Sequence, residues 1–311
     1  MALGTNQVTT TIAGNFIPEL WSDEVIGAYK ANLVVANLVT KLNHKGKKGD
    51  TIHIPVPARG SASAKAANTQ VTLSAATNTV IDVSIASHYE YSKLIEDIDE
   101  VQSLASMRKF YTADAGYALA KQVDTDLINL AEGFQSGSTT DKSYDTAVIG
   151  SDGSTAFTGT NEADITDAGI RAMLLTLDNA DVPMDNRALI IPPVAANDLL
   201  GINRFTEQQF IGSGDAIKTG KIGQIYGVDV YITTNAPTVK SSGGTGDSAA
   251  GTERVGVLMH KDALVLAEQV GVRTQTQYKQ EYLGDLFTAD TIYGVKELRN
   301  DAGIAFVVPA S

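Results

Sequence analysis

The run from Leu94 to Phe134 constrains the fold more than any other part of this chain. It contains no proline, and apolar side chains return at helical spacing, first at Leu94, Ile98, Val101 and Ala105, then at Leu119, Val123, Leu127, Leu130 and Phe134. Asp97, Asp99 and Glu100 fall in the opening turns, where the helix dipole favours carboxylates. Gly116 is a soft position that suits a bend. As one unbroken helix the run would be on the order of 60 Å long, several times the helix of an ordinary domain. Such a rod suits a plate-like or extended subunit better than a compact enzyme.

Ahead of it, residues 1–20 read as an arm, because Thr9-Thr10-Thr11, Gly14 and Pro18 support no regular element. A short amphipathic helix from Glu19 to Tyr29 and a second apolar piece from Leu33 to Leu42 follow, with Trp21, Val25, Leu33, Val35, Leu38 and Val39 expected in the core. The basic turn from His44 to Gly49 reads as a solvated loop, since nothing extends its charge. Two alternating strands come next, one through Ile52, Ile54 and Val56, the other through Val83 and Ile85. Pro55 and Pro57 confine the first to a sheet edge or its end. Between them, Arg59 to Thr79 is built of Ala, Ser, Thr, Asn and Gln. That is long for a hairpin connection. It buries no core of its own, so contact with another chain is the simplest way to order it.

Residues 133–159, rich in Gly, Ser, Thr and Asp, read as a surface hairpin or loop between two domains. An α/β pattern then begins. A helix is expected from Thr166 to Asn179 through Ile170, Met173, Leu174 and Leu177, then a strand at Ala188–Ile191. A second helix opens at Pro193, where the missing N–H of proline does no harm. In the stretch from Gly220 to Thr233, Gly223 and Gly227 permit turns with positive φ. The alternation from Val228 to Ile232 has the period of a half-buried strand. Further strands are expected at 255–259, 263–269, 271–282 and 303–308, with His260-Lys261-Asp262 as a turn.

Chemistry is hard to place. The 311 residues include no cysteine, which removes disulfides, thiolate metal sites and cysteine nucleophiles. His44, His53, His88 and His260 show no metal-ligand spacing. There is no Gly-x-Ser-x-Gly elbow. Gly214 to Lys221 has five residues between its glycines where a phosphate loop needs four, and Ile222 stands where a Ser or Thr would reach magnesium. Carboxylates at i and i+2, such as Asp124 and Asp126, do not face each other on a helix and read as a solvated face. No cofactor and no catalytic or metal residue is expected. The net charge of −12 argues against a broad phosphate-gripping face. No apolar run reaches the length of a membrane span, and the polar N-terminus shows no signal peptide.

Four stretches in order carry a resemblance. Lys48-Gly49-Asp50-Thr51-Ile52-His53-Ile54-Pro55 resembles the "G-D-T-v-x-I-P" strand that opens the extended E-loop of tailed-bacteriophage major capsid proteins, which have the Hong Kong 97-type coat fold. Tyr91 to Gln102 is similar to the opening of that family's spine helix. Gly220 to Ile232 resembles its "G-x-I-G-x-I-x-G-x-x-V" axial segment, and His260-Lys261-Asp262-Ala263-Leu264 its "H-k-d-A-l" turn. The match spans about residues 20–308.

The resemblance implies an α+β fold and a structural, non-enzymatic role. Its parts would be an N-terminal arm (1–47), an E-loop hairpin (48–88), a peripheral domain with a spine helix (89–140 and 266–300), a surface loop (141–165) and an axial domain (166–265 and 301–311). Hexamers and pentamers would close into an icosahedral shell around double-stranded DNA held without sequence-specific binding. A scaffolding protein, a portal protein and decoration proteins are the implied partners, the virion capsid the location, and the host cytoplasm the place of assembly. Arg59, Lys65, Gln70 and Trp21 are the implied assembly contacts. An encapsulin-like compartment shell, an unrecognised α/β enzyme and a cell-envelope array remain as alternatives at this point.

Overall fold

The computed structural model describes residues 34–43, 49–57, 60, 62–71, 73, 78–97, 106–138, 143–159, 161–202, 223–239 and 253–309, the side chains of 106–110 excepted. The chain order is α1 (Val35–Leu38), β1 (Thr40–Asn43), β2 (Thr51–Pro57), β3 (Asn78–Ser84), β4 (Ser87–Glu96), α2 (Ser106–Asn129), a 3-10 turn (Leu130–Ser136), β5 (Val148–Ile149), α3 (Asp167–Asn179), β6 (Arg187–Ile191), α4 (Pro193–Leu200), β7 (Gln224–Ile225), β8 (Val228–Ile232), β9 (Arg254–His260), β10 (Leu264–Lys279), β11 (Gly284–Glu297) and β12 (Gly303–Val308). These form a four-stranded sheet ordered β1-β10-β11-β4, a six-stranded sheet ordered β5-β12-β9-β6-β8-β7, and the β2-β3 hairpin.

The six-stranded sheet holds the main core. Every residue of β6 and β12 is buried, and so is β9 from Val255 onward. That follows from their continuous apolar runs, which suit strands covered on both faces. Two glycines admit aromatic rings here. A Cβ on Gly256 would lie 2.2 Å from the ring of Phe306, its cross-strand partner, and one on Gly303 would meet the ring of Phe134. Thr166 caps α3, its hydroxyl accepting from Gly169 N, and Pro193 opens α4, both as the residue types require.

The four-stranded sheet is gripped on two sides. Odd positions of β11 and β4 meet α2: Phe287, Ala289 and Tyr91 pack with Ala115 and Leu119. On the other face, Val83 and Ile85 pack on Val265 and Ala267, with Ile52, Ile54 and Ile292 around them. Gly294 lets the hairpin's end approach, since a Cβ there would lie 2.3 Å from Ser84 O.

Several expectations need correction. Leu94 to Glu96 lies in β4, paired with β11, not in a helix. α2 has 24 residues, hence about 36 Å, and Gly116 lies within it without interrupting it. Ile98 to Ala105 lies outside the described residues. The second apolar piece divides into α1 and β1. Residues 143–159 are not a surface loop: Tyr144, Ala147 and Phe157 are buried, and Val148–Ile149 pairs with β12. Of the glycine stretch, Gly227 has φ +80 beside Tyr226 at +51, which makes the tight turn of the β7-β8 hairpin. Gly223 does not have positive φ. β11, unanticipated from the sequence, is the partner that joins β10 to β4.

Candidate assembly surfaces

The β2-β3 hairpin leaves the body of the molecule as an arm. Its register sets Ile52 opposite Val83, Ile54 opposite Ile81 and Val56 opposite Thr79. Because directly opposed residues share a face, these form one stripe, apolar except at Thr79. The stripe is buried at Val83 and half-buried at Ile54, and it emerges at Val56. On the opposite face His53 Nδ1 and Asp82 Oδ1 are 2.6 Å apart in the open. Beyond the strands every described residue of the connection is exposed, Lys65 and Gln70 included, and Leu73 is 91% exposed. A two-stranded ribbon with such a tip is marginal in water by itself, and Val56, Val71 and Leu73 are left exposed among the described residues.

The distal half of the four-stranded sheet is a second open surface. β10 is buried from Leu264 to Ala267 and exposed from Arg273 to Tyr278. Asp290 ties the three strands together there. It accepts from Arg273 Nε at 2.7 Å and Nη2 at 2.8 Å, and lies 3.2 Å from His88 Nε2 on β4. The Arg273 hydrogen bonds hold its carboxyl below the usual carboxylate range. Arg273 and Asp290 are the pair at which the β10-β11 register resumes after the shifts between Glu268 and Arg273. A third surface is an open hollow of about 480 Å³ beside α3, where Leu175, Met184 and Tyr226 are exposed.

One buried cluster joins the parts. Asp124 on α2 accepts from Val35 N at 2.8 Å and Ala36 N at 3.3 Å, and from Asn235 Nδ2 at 3.4 Å. Asn235 also donates to Thr125 at 3.0 Å. Two residues on, Asp126 accepts from the buried Tyr293 of β11 at 2.5 Å. α2 therefore anchors α1, the segment after β8, and the four-stranded sheet within one turn. Burial pushes the Asp124 carboxyl above its ordinary range. The reading of these carboxylates as a solvated face is thereby corrected for Asp124. A signal existed, since Asp124 shares its helix face with Leu127, Ile128 and Ala131 at i+3, i+4 and i+7. A carboxylate on a buried stripe needs donors from elsewhere.

Among the described residues no group of three metal-ligating side chains converges, and no helix is long and apolar enough to cross a membrane. What the described residues present most clearly is exposed surface. Residues 37–294 match the family model described as phage capsid protein. The chain belongs to the phage capsid protein family. Solved structures share the fold of this capsid protein over nearly its whole length. One from Mycobacterium phage Che8 is 25% identical with a TM-score of 0.74, covering 94% of this chain and 97% of that one. The capsid of cyanophage P-SCSP1u is 20% identical with a TM-score of 0.75, covering 99% and 97%. The acid-stable capsid of Helicobacter pylori bacteriophage KHP30 is 13% identical with a TM-score of 0.71, covering 98% and 100%. At the last two identities the likeness shows fold alone. The search of curated protein sequences returns no match.

The protein is a tailed-phage major capsid protein, a structural subunit of an icosahedral shell with its place in the virion capsid. The encapsulin reading is not favoured. Of the four implied contact residues in the capsid protein, Lys65 and Gln70 sit on the exposed arm connection, whereas Arg59 and Trp21 lie outside the described residues.

Proposed function

We propose that the chain is a Hong Kong 97-type coat subunit whose β2-β3 arm lies across a neighbouring copy in hexamers and pentamers. The observation that carries this reading is the arm itself, with an apolar stripe that starts buried against the four-stranded sheet and runs out toward an exposed connection that carries Leu73. Exposed apolar side chains on a protruding element mark an interaction site. In this reading Lys65 and Gln70, with Arg59, contact the neighbour, and Trp21 belongs to an N-terminal arm. The proposed divisions are the arm 1–47, the E-loop 48–88, the peripheral domain 89–140 with 266–300, and the axial domain 166–265 with 301–311.

Assembly in the host cytoplasm would use a scaffolding protein and a portal protein, with decoration proteins added outside. The packaged double-stranded DNA would be held without sequence readout, and the acidic charge of −12 would keep it from adhering to the wall. The role is structural and non-enzymatic. The test deletes residues 60–76 and compares the product with wild type by sedimentation and electron microscopy. Soluble subunits that fail to close shells are expected. Normal shells from the deletion would sink the arm's role.

A further inference from the structure

The two larger sheets meet at a narrow neck. No strand among the described residues belongs to both. Two short connections join them strand to strand, Lys261–Ala263 between β9 and β10 and Asn300–Ala302 between β11 and β12. The two lie side by side, since Leu298 N and Arg299 N both donate to Ala263 O, at 2.8 and 3.2 Å. A few residues at element ends are where one part of a fold can turn against another.

α2 is the strut across this neck. Ala115 and Leu119 pack on the four-stranded sheet, whereas Leu127, Ile128 and Ala131 enter the main core. Apolar contact is non-directional and tolerates sliding, so the directional tie is the polar one. Asn235 Nδ2 donates to Thr125 Oγ1 at 3.0 Å and to Asp124 Oδ2 at 3.4 Å, and Thr125 Oγ1 donates to Asn235 Oδ1 at 3.3 Å. This tie stands away from the neck. Asn235 follows β8, whose last residue Ile232 pairs with Ile191 at one end of β6, while Arg187 at the other end pairs with His260 beside the neck. The four residues between those ends span roughly 13 Å, which gives the tie leverage against rotation. Asp124 is fully buried, yet an apolar side chain there would complete the stripe on its helix face. Buried polar groups often add no stability over an apolar replacement, and their best-attested use is to specify one arrangement.

We propose that Asp124 and Asn235 are positioning residues that fix the angle between the two sheets and, through it, the curvature of the shell. Closed assemblies need each copy to stand at a fixed rotation from the next, so a subunit free to bend at its neck would close at more than one diameter. The proposal rests on the shell-forming role but not on the arm.

Asn235→Ala removes the tie and leaves the Val35 and Ala36 amides on Asp124. Its particles, sized by electron microscopy, are expected to show a shifted or broadened diameter. Asn235→Asp alone sets two carboxylates against each other and should do at least as much. The exchanged pair, Asp124→Asn with Asn235→Asp, keeps the net charge and reverses the hydrogen bond, and should restore the wild-type diameter. Gly256→Ala, a strain placed within one sheet, serves as the control for stability alone and should keep that diameter. Wild-type diameters from Asn235→Ala would overturn the proposal, as would folded Asn235→Ala subunits that form no shell. Failure of the exchanged pair to restore the diameter, or an equal change in Gly256→Ala, would do the same. Failure of wild type to form particles in the same assay would count against the shell-forming role itself.

Discussion

Gly256 offers the sharpest test of how the main core is built. It lies on β9 directly opposite Phe306 of β12, and the ring fills the space a side chain would occupy. In Gly256→Ala the new Cβ would stand 2.2 Å from Phe306 Cζ and 2.6 and 2.7 Å from the two Cε atoms. Phe306 is fully buried, and the residues two positions to either side of it on β12, Ile304 and Val308, are buried too. The ring has no void to swing into, because native cores are close-packed. Overpacking of this kind costs about 1–3 kcal/mol. Alanine recovers roughly 0.5–1 kcal/mol of the backbone penalty that glycine carries in a strand. The net expectation is a loss of about 1–2 kcal/mol, whereas alanine at an exposed strand glycine would gain. Urea denaturation of dissociated subunits, followed by circular dichroism, reads this directly. Phe306→Leu should destabilise alone but relieve the clash, so the double variant should lose less than the sum of the singles by about 1 kcal/mol. A Gly256→Ala variant as stable as wild type, or strictly additive singles, would refute the idea that the ring and the glycine specify each other.

Four further outcomes follow from the polar contacts. Burial raises the Asp124 pKa, so its folded-state contribution is favourable when protonated and is lost as pH rises through that raised value. Asp124→Asn should therefore match or exceed wild-type stability at pH 7, an advantage that shrinks toward acid pH. Asp124→Ala instead leaves Val35 N and Ala36 N without their acceptor, a loss of about 2–4 kcal/mol in thermal or urea unfolding. Asp290 behaves oppositely: its pKa is lowered, so its contribution is present above the ordinary carboxylate range and lost as pH falls through the lowered value. Arg273→Met should destabilise the subunit modestly at pH 7, since solvent near Arg273 screens the pair, and the gap to wild type should close on acidification. The His53–Asp82 pair on the arm is exposed on both sides, so His53→Ala should leave subunit unfolding unchanged within error.

The parts of the fold legible in the sequence are those where burying one face dictates the pattern. The continuous apolar runs of β6, β9 and β12, the Thr166 cap and the Pro193 start needed nothing from elsewhere in the chain. The end of β4 misled because Leu94 continues the helical spacing of the run after it, while its pairing with β11 overrides that local signal. β11 escaped notice because its covered positions include Asp290 and Thr291. Those polar residues are tolerated only because distant groups, Arg273 and Val270 O, satisfy them. Asp124 was misread for the same reason: its donors lie about ninety residues upstream and over a hundred downstream. The exposed apolar positions show the converse. At Leu73 a large apolar side chain stands open on a polar loop, and at Leu283 one occupies a turn that favours glycine. Neither choice is explained by packing among the described residues, and local rules are expected to fail where function has set the residue. In a shell subunit the second copy is part of the environment that selects the sequence. The residues least consistent with the isolated fold are therefore where its interfaces should be sought first.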